Sequence, residues 1–120
     1  MAPELSVEAL REEIDRLDEV IVRLLDRRAR CAYAIGRVKR VEGRPVYEPA
    51  REHAVLAHAR EVNARLGGPL DDEAIGRLYE RIMDEARRIQ RLEAEREAGS
   101  QSPADGVILD GDEKEQSWSS

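Results

Sequence analysis

One cysteine, two histidines and no apolar run long enough to span a bilayer set the first limits on this 120-residue chain. A single thiol, Cys31, has no partner for a disulfide. It falls on a hydrophobic stripe, so a plain buried thiol is expected there. His53 and His58 are off-register for one helical face, and neither points to a metal site. The opening segment MAPELSVEAL lacks the basic start and apolar centre of a secretory signal, which makes a cytoplasmic protein the expectation. Neither proline nor glycine interrupts residues 7–35, and no stretch alternates as a strand does. The expected fold class is all-α.

What the chain has in excess is acid. A net charge of −6 argues against a general nucleic-acid binder. Charge is unevenly spread, however. Between Arg23 and Arg44 lie eight basic residues and two acidic ones, so that window carries +6 and the remainder −12. A cationic patch on an acidic protein suits a small anionic ligand better than a polyanion.

Hydrophobic residues recur at helical spacing through the first forty positions. Val7, Leu10, Ile14, Leu17, Ile21, Leu24, Cys31, Ile35 and Val38 follow alternating steps of three and four, and the one gap is filled by Arg28. Ser6 is placed to cap this helix, which is expected to run to about Val41, with Gly36 at a site of close packing. After the loop EGRPVYEP, Pro49 suits the first position of a second helix, PAREHAVLAHAREVNARL. Its Val55, Ala59, Val62 and Leu66 share a face, and it stops at Gly67-Gly68. Asp71 or Asp72 then caps a third helix with Ile75, Leu78, Ile82 and Ile89 as its stripe. That helix reaches about Ala98. Residues 1–98 form the expected helical domain, and residues 99–120, polar and acidic without periodicity, the expected disordered tail.

The first helix bears on assembly. About 34 residues make a rod of roughly 50 Å, whereas a compact domain of about 100 residues has a radius of gyration near 13 Å. A stripe of that length needs a second copy or another protein to cover it, and the three-four rhythm suits packing against a helix from another chain. A homodimer is expected. Arg28 and Lys39, eleven residues apart, share a face and could grip a small anion between them. Arg11 lies roughly 25 Å back along the same axis and points about 100° away, so it can reach such an anion only from an antiparallel partner chain.

These residues carry a resemblance. The segments LREEIDRLDEVIVRLLDRRARCAYAIGRVK, RPVYEPARE and RRIQ, within about residues 7 to 92, resemble the all-helical, type II chorismate mutases. The resemblance implies an intertwined helical homodimer that converts chorismate to prephenate on the route to phenylalanine and tyrosine, without a cofactor or metal. It further implies that Arg28 and the partner chain's Arg11 bind the two substrate carboxylates, with Arg51 in support. Lys39 and Gln90 would donate to the ether oxygen of the breaking bond. Glu52 and the backbone of Glu48 would hold the ring hydroxyl. Two positions depart from the family pattern: Glu48 stands where aspartate is usual, and Ala86 where a serine would bind the ring carboxylate. A pericyclic rearrangement needs a flexible dianion held in its reactive shape and donors aimed at the oxygen where charge builds, and these residue types supply both.

Two alternatives share these features. An isochorismate pyruvate-lyase would use the same helices and the same arginine, lysine and glutamine, although RPVYEPARE is more like the mutase pattern. A non-catalytic helical module would leave Arg28 on the seam unexplained. Activation of a weak mutase by another shikimate-pathway enzyme is a further expectation for a short chain of this kind; no nucleic acid or membrane is expected as a partner.

Overall fold

The computed structural model describes residues 5–99, which form three helices: α1 (Val7–Glu42), α2 (Pro49–Leu66) and α3 (Asp72–Gly99). Among the described residues there is no strand, and no helix is long and apolar enough to cross a membrane. The tail expected over residues 99–120 lies outside the described residues apart from Gly99, the last residue of α3.

Local chemistry sets the helix ends. The Ser6 hydroxyl accepts from the Ala9 N–H at 3.0 Å and so satisfies one of the free donors of the first turn. At the other end, Gly43 takes the left-handed conformation with φ 72°. There the Gly43 N–H donates to the Arg40 carbonyl (3.2 Å) and the Arg44 N–H to that of Lys39 (2.8 Å). These two hydrogen bonds close the last turn and lead the chain into the loop before α2. Pro49 opens α2 and Gly67 (φ 62°) ends it. Of the two aspartates, Asp71 is the cap of α3: its carboxylate accepts from the Ala74 N–H at 2.8 Å.

Helix α3 packs against both α1 and α2. The molecule is a rod, with a long axis of 59 Å and a radius of gyration of 18.3 Å, well above the roughly 13 Å of a compact domain of this size. It has almost no apolar core of its own. Among the described residues, the buried hydrophobic side chains are Ala32 and Met83; Lys39, Gln90 and Glu93 are buried with them.

Three expectations are corrected or sharpened here. Cys31 is exposed rather than buried. The stripe from Val7 to Val38 is also left bare by the chain, with Leu10, Ile14, Leu17, Ile21, Leu24 and Ile35 each about half exposed. The reason is rotational. The face of α1 that meets α3 is centred on Ala32, Gly36 and Lys39, so the hydrophobic seam looks outward beside it. On α3, likewise, Ile75, Ile82 and Ile89 of the stripe are only half-buried. The side chains that meet α1 include Gln90 and Glu93, Gly76 meets Arg60 of α2, and Leu78 is 53% exposed. Small and polar residues make the internal contact because that contact walls a cleft.

Candidate active site

The cleft lies where α1, the α1–α2 loop, the start of α2 and the second half of α3 converge, and encloses about 670 Å³. Of the residues expected to form a site, Arg28, Lys39, Glu48, Arg51, Glu52, Ala86 and Gln90 all line it. Arg11 does not; it stands far back on the exposed first half of α1. Sequence reasoning missed Arg44 and Arg87, which also line the cleft. Arg44 was present as one charge in the basic window and as the first residue of RPVYEPARE, with no role assigned to it. Arg87 meets its partner Glu52 across 35 residues of sequence, so no spacing rule could find it.

Lys39 is the most deeply placed cation, 6% exposed. Its Nζ donates to the Val46 carbonyl at 2.9 Å and pairs with Glu48 Oε1 at 2.8 Å. An ammonium has three donors, so one N–H remains for the cleft. Lys39 holds the Glu48 carboxyl below its ordinary range, first through that hydrogen bond and then by charge, with Arg44 adding at 3.4 Å. Glu48 thus turns its side chain to the lysine instead of capping α2.

Gln90 lines the same cleft as Lys39, from α3. Its Nε2 donates to the Ala32 carbonyl at 3.0 Å. That bond fixes which end of the amide is nitrogen and leaves the second N–H available. The approach is close because Gly36 has no side chain: a Cβ there would come within 3.0 Å of Gln90 Cγ. Close packing at Gly36 was expected, and its contact is the stem that carries the candidate catalytic amide.

The outer wall is charged. Arg28 leans on the face of Tyr79, with 6.0 Å from guanidinium to ring centroid, a range in which the ring quadrupole attracts a cation. Arg87 pairs with both Glu52 and Asp84 and sits over the Tyr47 ring at 5.6 Å. The Glu52 hydrogen bond and charge raise its pKa further, keeping it cationic. Ala86 lines the cleft with a methyl group and offers it no donor. The site therefore combines a dense set of fixed N–H donors with an apolar floor of Ile35, Val38, Val55 and Met83. That combination suits a small anion with an unsaturated ring.

Comparison with known proteins agrees with this chemistry. The family model described as chorismate mutase type II matches residues 10–91. The chain is 42% identical over 96 residues to a bifunctional chorismate mutase/prephenate dehydratase of Pseudomonas aeruginosa, covering 76% of this chain and 26% of that protein. It is 41% identical over 90 residues to the protein of the same name from Stutzerimonas stutzeri, covering 71% and 24%. It thus spans about a quarter of the length of these curated relatives. Among solved structures, a chorismate mutase (form II) from Thermus thermophilus superposes with a TM-score of 0.66 at 36% identity, covering 71% of this chain and 93% of that one. The matched span takes in α2, nearly all of α1, the greater part of α3 and every residue lining the cleft, and on that ground the chain belongs to the type II chorismate mutase family.

Proposed function

We propose that this chain catalyses the Claisen rearrangement of chorismate to prephenate. The observation that carries the reading is that Lys39 and Gln90 line one cleft, each anchored by a backbone carbonyl and each with an N–H to spare. Two such donors aimed at one point stabilise an ether oxygen that gains negative charge as its C–O bond breaks. Because both are fixed before substrate arrives, no reorganisation is needed in the transition state. Donors of this kind are worth roughly 10²–10³ in rate when one is removed.

The remaining residues hold the substrate in its reactive shape. Arg28 binds one carboxylate, exchanging part of its contact with Tyr79 for a charged partner, and Arg51 supports it from the start of α2. Glu52 and the backbone at Glu48 take the ring hydroxyl. Holding both ends of a flexible dianion keeps its reacting carbons near each other, which lowers the conformational part of the barrier.

The second carboxylate falls to Arg11 of a second copy. Supporting this is the bare apolar seam on α1 beside the cleft, a length of surface that an antiparallel α1 would cover. An intertwined homodimer with two sites, each completed by the partner's Arg11, follows. Sedimentation at micromolar concentration should show a dimer; a folded monomer would overturn this arrangement.

Purified protein should convert chorismate to prephenate and release no pyruvate from isochorismate. Pyruvate from isochorismate with no prephenate would make the chain a lyase, and turnover of neither would make it a binding module.

A further inference from the structure

One buried titratable group has no part in the chemistry above. Glu93 is 2% exposed and lies on α3 one turn past Gln90, facing α1. Its partner is Arg40, the residue after Lys39: Arg40 Nη2 stands 3.1 Å from Glu93 Oε2, with Glu97 farther off at 3.7 Å. The pairing is poorly satisfied. Neither carboxylate oxygen of Glu93 and not the buried Nη1 of Arg40 makes a hydrogen bond. Buried ion pairs of this quality commonly stabilise a fold less than apolar side chains of the same volume would.

Position explains what stability does not. The α1–α3 seam runs from the Ala32–Gln90 hydrogen bond, past the Gly36–Gln90 contact, to the Arg40–Glu93 pair. Each partner is thus within one turn of a residue proposed to donate to the ether oxygen. A one-turn slip of α1 along α3 is about 5.4 Å; the small Gly36 contact resists it weakly, and the single neutral hydrogen bond from Gln90 to the Ala32 carbonyl resists it modestly. A charge pair resists it strongly, because a slip would strand the buried carboxylate.

We propose that Glu93 is a positioning residue, whose ionised carboxylate, held by Arg40, fixes the register at which Lys39 and Gln90 line one cleft. This rests on the mutase reading of the site. Burial pushes the Glu93 carboxyl above its ordinary range, against the opposing pull of Arg40, Arg37 and Arg96; Glu97 adds to the upward shift. These are the charged groups that bear on it from α1 and from its own helix. The stability this group contributes is fully present below its unfolded pKa and is lost as pH rises through the folded one. At neutral pH the ionised pair therefore costs the fold stability, which a purely structural role would not explain.

The proposal separates stability from activity. Glu93→Gln should unfold at a higher temperature than wild type at neutral pH. The gap should close on acidification through the raised Glu93 titration. The same variant should lose about tenfold in kcat with little change in KM, because the donors are displaced rather than removed. Wild-type kcat should fall with acidification through that range, and Glu93→Gln should lack this limb. Arg40→Gln should lose kcat similarly, and the double variant should lose no more than either single one, as expected of a unit. Wild-type kcat in Glu93→Gln, an acid limb that survives the substitution, or additive losses in the double variant would each overturn the positioning role. Absence of chorismate turnover by wild type at every pH would instead overturn the functional reading, and the positioning role with it.

Discussion

A Cβ added at Gly36 would stand 3.0 Å from Cγ and 3.3 Å from the Cα of Gln90, so the backbone of α1 rests directly against the stem that carries the candidate catalytic amide. Helix propensity favours alanine over glycine by about 1 kcal/mol, and overpacking a tight contact costs about 1–3 kcal/mol. Gly36→Ala should therefore unfold near the wild-type temperature while kcat falls several-fold, as α1 is pushed away from Gln90. For Gly36→Val, overpacking wins and both should fall. Thermal unfolding beside steady-state kinetics checks this; a fully active Gly36→Val would mean that the contact does not set the site.

Gln90→Glu keeps the shape of the side chain but exchanges its donor. Ionised, a carboxylate at 90 would face the Ala32 carbonyl now bound by Nε2 and repel the charge that develops on the ether oxygen. Protonated, it has one O–H where the amide has two N–H groups. Most activity should be lost at neutral pH and part of it regained below about pH 5, near the ordinary glutamate range. Wild type should show no comparable rise. A flat pH–rate profile on folded variant would remove Gln90 from the chemistry.

Arg87 holds Glu52 from α3 and was not legible before the fold was known. Both side chains are about a quarter exposed, so the pair is partly screened and worth about 1 kcal/mol. Arg87→Ala should raise KM for chorismate about fivefold with a smaller effect on kcat, because Glu52 loses its fixed orientation, and Arg87→Lys should recover part of the loss. An unchanged KM would leave the pair as surface charge only.

Arg11 and Arg28 stand about 25 Å apart on one helix and serve one site only if they come from two chains. Arg11→Ala and Arg28→Ala should each be nearly inactive. In a mixed dimer one site collects both defects and the other neither, so co-refolding at random should restore about one quarter of wild-type activity. No recovery despite demonstrated subunit exchange would place both arginines in the same chain's site.

The sequence alone determined the helices and seven of the polar and small residues that line the cleft. Spacing from Val7 to Val38 marked α1, Ser6 and Pro49 marked helix starts, and Gly67 marked the end of α2. These signals are local: a cap, a missing side chain or a fixed φ acts within one turn. Resemblance to the family named Arg28, Lys39, Glu48, Arg51, Glu52, Ala86 and Gln90, and all seven line one cleft. What only the tertiary structure decided was which face of each helix meets which. Apolar periodicity finds a stripe but not its partner, so it assigned the exposed Cys31 to an interior and could not pair Gly36 with Gln90 or Arg40 with Glu93. The Arg87–Glu52 and Arg40–Glu93 pairs join residues 35 and more positions apart in sequence. Their energies depend on distance and burial, which no count along a chain contains.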